Sequence, residues 1–192
     1  SPVLLSVTFR KLSPQEIVEL ARDAGLQSIE WGGDIHVPPG NLANVREIRR
    51  IMDDAGLVTA AYGSYYRLGG SDESEFSAVI EAARSCAATI RGAPGIRVWA
   101  GNRGTADSND TYFQSVVVEA LRLADLAQKA NVVLSLEFHG GTLNDTYESS
   151  RRLLSACAHP AIATYWQRPL GLPEHESLDG LLSILPRVRD VH

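Results

Sequence analysis

The sequence has little of what secreted, membrane-spanning or disulfide-bonded proteins need. No apolar run approaches the roughly 20 residues that a membrane span requires, and the N-terminus lacks the basic, apolar and small-residue series of a signal peptide. The two cysteines, Cys86 and Cys157, are too few for a disulfide framework and lack metal-site spacing. Both fall in helix-like patterns, which predicts buried free thiols. We therefore expect a cytoplasmic protein with no membrane partner.

An excess of positive charge is also absent. The 192 residues include 18 Lys and Arg against 23 Asp and Glu, which gives a net charge of -5. Such a surface does not favour phosphate backbones, so we expect no nucleic-acid partner. With 44% hydrophobic and 21% charged residues, the composition is that of an ordinary globular protein. The length predicts a single domain over residues 1–192.

Helix-to-strand junctions recur along the chain. Ser13-Pro14-Gln15-Glu16 predicts a helix start, because it is a capping box with proline at the first helical position. Three junctions then have nearly the same form: Ala24-Gly25-Leu26, Ala55-Gly56-Leu57 and Ala130-Asn131-Val132. Glycine, and after it asparagine, favours the left-handed conformation that ends a helix. The junctions therefore form a weak internal repeat.

Apolar periodicity predicts seven strand segments that alternate with six helices. The predicted strands cover residues 3–9, 26–31, 57–62, 95–100, 132–138 and 161–166, and the last begins at Arg187. Strands separated by helices run parallel, with right-handed crossovers. An open doubly wound sheet and a barrel both satisfy this order.

The barrel is favoured because no Gly-x-Gly-x-x-Gly motif follows the first strand, so the dinucleotide-binding sheet loses its best support. A full eightfold barrel needs about 250 residues. We therefore predict an α/β fold, a (β/α)8 TIM barrel that is incomplete here. It would have about seven strands, end at His192 inside the seventh and lack the C-terminal unit. Such a barrel leaves strand edges unpaired, which predicts a homo-oligomer or a cap formed by another segment.

The end of strand five is the strongest candidate site. Leu136 and Phe138 alternate with Glu137 and His139, so the polar pair shares one face of the strand. The carboxyl ends of the strands carry the active site of a barrel. A carboxylate and an imidazole that converge on an inner face need a partner or a task. We assign Glu137 and His139 as catalytic; the alternative is a pair of solvated residues.

The segment after strand two is the second candidate. Glu30, Trp31 and His36 lie in a stretch rich in turn-forming residues. An indole can stack on a sugar face, and an imidazole can bind hydroxyls or carry a proton. We assign the three residues to substrate binding; the alternative is a rigid surface loop.

Strands four and six add weaker candidates. Trp99 either lines the pocket or packs in the core, and Arg168 follows strand six; both are assigned to substrate binding. Arg97 and Arg103 are weak evidence for a phosphate or carboxylate site. Residues 62–67 are predicted to be a loop that adds an aromatic wall or simply packs.

Several of these motifs resemble a known family. The runs Ile29-Glu30-Trp31-Gly32-Gly33-Asp34-Ile35-His36-Val37-Pro38, Leu136-Glu137-Phe138-His139-Gly140-Gly141-Thr142 and Val188-Arg189-Asp190-Val191-His192 resemble the xylose isomerase-like barrel family of sugar phosphate isomerases and epimerases. The resemblance covers essentially the whole chain. It implies a small-molecule sugar or polyol as substrate.

The resemblance also implies a divalent metal (Mn, Mg, Co or Zn) held by Glu, Asp, His and Glu on strands five to eight. Glu137 matches the first ligand and His192 the third. The second position falls on Gln167, which keeps an oxygen ligand but removes a charge and is expected to weaken the site. The fourth ligand is expected beyond the end of the sequence, so the metal can be absent from this chain.

The reaction implied by the resemblance is isomerisation or epimerisation. One glutamate removes the proton beside a carbonyl, a second returns it, and the metal polarises the carbonyl; Glu137 is the glutamate present. Two alternatives stay open. One is a catalytically inactive sugar-binding or regulatory barrel, and the other is an inositol-type dehydratase that uses the same base. The endonuclease branch is disfavoured by the net charge of -5 and the five histidines.

Overall fold

A computed structural model describes residues 2–86 and 93–192. Within these ranges seven β-strands alternate with six α-helices, as the periodicity predicts. The helices are α1 Pro14–Asp23, α2 Leu42–Ala55, α3 Ser74–Cys86, α4 Asp110–Lys129, α5 Tyr147–Ala156 and α6 Glu174–Ile184. The strands are β1 Leu4–Leu5, β2 Ser28–Gly32, β3 Val58–Arg67, β4 Gly95–Trp99, β5 Val133–Glu137, β6 Ile162–Trp166 and β7 Val188–Val191. Among the described helices, none combines the length and the apolar character that crossing a membrane requires.

The chain divides into two compact units. The first unit comprises residues 1–65, 72–96 and 130–132, and the second comprises residues 66–71, 97–129 and 133–192. In the first unit, β2 pairs in parallel with β1 and with β3, and α2 packs against α1 and α3. Its largest fully buried side chains are Ile17, Ile29, Trp31, Ile48, Met52, Tyr62, Phe76 and Ile96. That residues 1–192 form a single domain stays a prediction.

The predicted helix ends are confirmed. Ser13 and Glu16 form the reciprocal capping box at the start of α1. Gly25 and Gly56 have φ angles of 71° and 67°, and Asn131 has a φ of 55°. After α1, the Leu26 amide donates to a carbonyl five residues back at 2.9 Å, which is the Schellman arrangement. The left-handed residue therefore sets the angle at which each following strand begins.

The first strand is shorter than predicted. Only Leu4–Leu5 is a strand, and Ser6–Phe9 turns into a 3₁₀ helix, so the prediction of a strand over residues 3–9 was wrong in its second half. The hydroxyl of Ser6 accepts a hydrogen bond from the Gly32 amide at 2.8 Å. The Val7 side chain also lies so close to Gly32 that a Cβ there would overlap it. Side-chain packing at the end of β2 thus replaces the strand pairing.

The second unit places strand ends side by side. β6 pairs in parallel with β5 and β7, with Glu137 opposite Tyr165 and Trp166 opposite Val191. The strands run in the same direction, so their carboxyl ends lie at one edge of this unit. That edge is where the active site of a parallel barrel forms.

A close contact joins the last two helices of the second unit. Gly180 in α6 is buried against the Tyr147 ring of α5, and a Cβ at Gly180 would overlap that ring. The Tyr147 hydroxyl donates to the Ser177 carbonyl at 2.9 Å and accepts from Trp166 Nε1 at 2.9 Å. These two hydrogen bonds restrain the hydroxyl end of the Tyr147 ring, so the ring cannot shift away from Gly180 without breaking them.

We expect Gly180→Ala to lower the free energy of unfolding, by up to about 2 kcal/mol. Alanine gains about 1 kcal/mol in helix propensity over glycine, but overpacking against a fixed ring costs about 1–3 kcal/mol. Urea unfolding measures the difference. Gly140→Ala is the control, because no atom lies within 4 Å of the added Cβ. A stabilising Gly180→Ala would show that the ring yields easily.

Candidate active site

The carboxylate of Glu137 is the centre of the candidate site in the second unit. Glu137 is the last residue of β5 and is only 4% exposed. Its Oε1 lies 3.4 Å from Nδ1 of His192, and its Oε2 lies 3.5 Å from Nη1 of Arg97. The His192 amide is held by the Trp166 carbonyl at 2.9 Å. A buried acid is therefore flanked by an imidazole that follows β7 and by a guanidinium from the middle of β4.

These neighbours keep Glu137 charged. Burial raises the pKa of the Glu137 carboxyl, but the hydrogen bond from His192 and the charge of Arg97 outweigh it, so the pKa is lowered from its ordinary value. Glu137 is thus a carboxylate at neutral pH. Its Oε2 accepts no hydrogen bond from the described residues. A buried acceptor of this kind is poorly satisfied, which favours a polar ligand beside it.

The indole of Trp99 lies beside Arg97 and His139, and its assignment to substrate binding stays a prediction. The His139 ring lies 5.8 Å from the Trp99 ring, centroid to centroid. The guanidinium carbons of Arg97 and Arg67 lie 5.3 Å and 4.0 Å from the Trp99 centroid. Nδ1 of His139 lies 2.7 Å from the Gly140 carbonyl, which makes Nδ1 the donor and leaves Nε2 able to accept a proton.

Residues 18–167 match the family model described as "Xylose isomerase-like TIM barrel". The chain belongs to this family. Structures with the same fold include the probable 3-DHS dehydratase AsbF, involved in petrobactin synthesis, from Bacillus anthracis (24% identity, TM-score 0.81, covering 99% of this chain and 71% of that one). They also include a xylose isomerase-like TIM barrel protein from Mycobacterium smegmatis in complex with magnesium (15% identity, TM-score 0.76, 100% and 74%). These likenesses confirm the predicted incomplete (β/α)8 barrel.

Among curated proteins, 3-dehydroshikimate dehydratase of Bacillus anthracis is 28% identical over 165 residues. The match covers 82% of this chain and 58% of the relative. The chain therefore spans less than two thirds of that relative's length.

The xylose isomerase-like site was expected to hold a metal through Glu137, Gln167 and His192. Glu137 and His192 do lie together, at 3.4 Å. The Gln167 side-chain amide instead donates to the Phe138 carbonyl at 2.5 Å, which leaves only its oxygen for another partner. Nowhere in residues 2–86 and 93–192 do three or more His, Cys, Asp or Glu side chains cluster closely enough for a metal. Among the described residues, two of the implied ligands, Glu137 and His192, therefore lie together, and a complete metal centre would need further ligands.

Four further residues were predicted to bind substrate. Glu30, Trp31 and His36 belong to the first unit, and all three are buried. Trp31 is 0% exposed, so its ring has no surface available for stacking. Arg168 is exposed after β6. The assignment of these four residues to substrate binding stays a prediction.

Both ring nitrogens of His36 are engaged within the first unit. Nδ1 lies 3.1 Å from the Ser6 hydroxyl, and Nε2 lies 3.2 Å from the Leu12 carbonyl. The carbonyl can only accept, so Nε2 is the donor, and Nδ1 accepts from Ser6. His36 thereby joins the segment that follows β2 to residues 6–12, which follow β1.

The sequence patterns gave little indication of the positions of Arg97 and Arg67. Arg97 was weak evidence for an anion site, yet it pairs with Glu137. Arg103, its proposed companion, instead lies over the Tyr112 ring at 4.8 Å. Arg67 was placed in a loop, but β3 extends to it. The alternation of Arg97 with Trp99 was the available signal; the sequence had none for Arg67, because it depends on how far β3 continues.

We expect His36 to make stability pH-dependent. Burial lowers the pKa of His36, while the neighbouring Asp34 and Arg10 act on it with opposite signs. An unfolded histidine titrates near 6.5. The unfolded chain therefore binds a proton first, so the free energy of unfolding falls as the pH drops below about 6.5, by at most about 1.4 kcal/mol per pH unit.

Urea unfolding at pH 7.5 and 5.5 measures this dependence. His36→Gln should flatten it, because the amide does not titrate, while His175→Gln on the exposed start of α6 should leave it unchanged. An identical pH dependence in wild type and His36→Gln would assign the effect to other groups.

Proposed function

We propose that the protein removes the proton beside a carbonyl group of a sugar or related polyol, with Glu137 as the base. The buried, charged carboxylate of Glu137, which lies against Arg97 and His192, is the observation that carries the proposal. A base must be deprotonated before substrate arrives, and the lowered pKa ensures this at neutral pH. Enclosure of the carboxylate excludes the water that would otherwise solvate it.

The surrounding residues fit the charge that moves in such a step. When Glu137 takes the proton, its negative charge passes to the substrate as an enediolate. Arg97 lies 3.5 Å from Glu137 and stacks near the Trp99 ring. Its positive charge therefore stays close both to the carboxylate and to a substrate that gives its proton to that carboxylate. Fixed charges of this kind stabilise a developing anion without reorganisation. His139 would serve as the acid that completes the reaction, once its Nε2 has taken up a proton from solvent and Nδ1 keeps its own on the Gly140 carbonyl.

Two reactions share this first step. In a dehydration, the electron pair of the enediolate expels the neighbouring hydroxyl, which leaves as water with a proton from an acid such as His139. In an isomerisation or epimerisation, a proton returns to the other carbon or the other face. The curated relative with 28% identity over 82% of this chain is a dehydratase. We therefore place dehydration first and isomerisation or epimerisation second, the reverse of the order that the sequence motifs favoured.

Glu137→Gln should reduce proton removal by about 100-fold or more, which is the usual contribution of a general base. Deuterium exchange beside the carbonyl of 3-dehydroshikimate, followed by NMR in D₂O, reads the first step. Loss of water in the same sample separates dehydration from isomerisation. Glu148→Gln, at an exposed position in the first turn of α5, is the matched control.

Failure of the wild type to exchange a proton in any of a panel of hydroxylated ketones and aldoses would contradict the proposal. Binding without exchange would instead support the alternative of a sugar-binding or regulatory barrel.

The dependence on a divalent metal (Mn, Mg, Co or Zn) is part of this proposal. Its support is the magnesium present in a related structure and the adjacent Glu137 and His192, whose oxygen and imidazole nitrogen suit such ions. We expect exchange to stop in EDTA and to return with one of the four ions. Gln167→Asp should strengthen Mn²⁺ binding measured by calorimetry, because a charged ligand replaces a neutral one. Full exchange in EDTA would rule out the requirement.

A further inference from the structure

Two guanidinium groups lie beside the Trp99 ring, and the site supplies a carboxylate partner for one of them. Two guanidinium groups, Arg67 and Arg97, lie within 4.0 Å and 5.3 Å of its centroid. Arg97 has a counter-charge, because Glu137 lies 3.5 Å away. Glu137 also faces His192. The Glu137 carboxylate thus faces both Arg97 and the His192 imidazole, and it does not pair with the guanidinium of Arg67.

Arg67 has no such counter-charge. Within the described residues, no carboxylate lies at ion-pair distance from its guanidinium. Its Nη1 donates to the Gly101 carbonyl at 3.3 Å. A guanidinium offers five N–H donors, so most of them are available. Arg67 is half-buried, so its guanidinium is partly shielded from water and a bound anion would be screened less than at a fully exposed position.

The backbone holds Arg67 in place. The Arg67 amide donates to the Ser71 hydroxyl at 2.9 Å, and the next amide, of Leu68, donates to the Trp99 carbonyl at 3.0 Å. The ends of β3 and β4 are therefore tied together directly beneath the two side chains. The stacked indole restricts the guanidinium further. Arg67 is thus a preorganised cation rather than a solvated surface arginine.

We propose that Arg67, held on Trp99, binds a carboxylate of the substrate, so that the substrate is a hydroxylated acid rather than a neutral sugar. A planar guanidinium matches a carboxylate through two parallel hydrogen bonds. The inference rests on the proposed function, because it concerns the substrate of the same site. It assigns Arg67 a role in specificity and leaves proton removal to Glu137.

Calorimetric titration at constant ionic strength tests the inference without turnover. The probes are quinate, which is a polyhydroxylated ring acid, its neutral methyl ester, and inorganic phosphate. We expect the wild type to bind quinate at least tenfold more tightly than the ester or phosphate. Tighter binding of phosphate would overturn the choice of carboxylate, and equal binding of acid and ester would overturn the inference. Undetectable binding of quinate at tens of millimolar would overturn it as well.

Arg67→Gln should reduce the affinity for quinate at least tenfold and leave the affinity for the ester unchanged. Arg67→Lys should recover part of the loss, since it restores the charge without the planar fork. Arg103→Gln is the matched control, because Arg103 also stacks on an aromatic ring, that of Tyr112, at 4.8 Å. Equal losses for acid and ester in Arg67→Gln would mean that Arg67 only supports the fold of the site.

The two proposals fail in different ways. If deuterium exchange proceeds equally well with neutral and acidic substrates, the base assignment of Glu137 stands and the role of Arg67 falls. If quinate binds through Arg67 but no compound exchanges a proton, the recognition of an acid stands and the catalytic proposal falls.

Discussion

A buried negative charge is the constraint on which the site depends. The carboxylate of Glu137 at the end of β5 is almost fully removed from solvent, and burial alone would make it neutral. Its charge persists because His192 and Arg97 stand within 3.4 Å and 3.5 Å. His192 follows β7 and Arg97 lies within β4, so the charge state of one side chain requires β4, β5 and β7 to be in place. The charge of Glu137 therefore depends on the tertiary structure of this unit.

The strand–helix alternation and the helix ends were predictable because they depend on local chemistry. The capping box at Ser13 and the left-handed residues Gly25, Gly56 and Asn131 act within a few residues of the chain. The early end of β1 was not predictable. It follows from a hydrogen bond between Ser6 and Gly32, two residues whose proximity is a property of the tertiary fold.

The same division applies to the site. Glu137 and His139 were found from alternation along one strand, and His192 from a family motif. The pairing of Arg97 with Glu137 needs the spatial order of strands, and the position of Arg67 over Trp99 needs the true length of β3. Sequence patterns thus identified the carboxylate that we propose as the base, whereas the cations that surround it were visible only in three dimensions.

The hydrogen bond from Gln167 to the Phe138 carbonyl has a consequence for any exchange of glutamine for aspartate at position 167. An aspartate at that position would supply the missing charge, but a carboxylate accepts hydrogen bonds and cannot donate one. The Phe138 carbonyl, now reached at 2.5 Å, would lose its donor. Phe138 is the residue that separates Glu137 from His139, so this loss would fall between the two catalytic candidates. A change from glutamine to aspartate would therefore add a charge for a cation and at the same time remove one hydrogen bond to the backbone, which is worth about 0.5–1.5 kcal/mol.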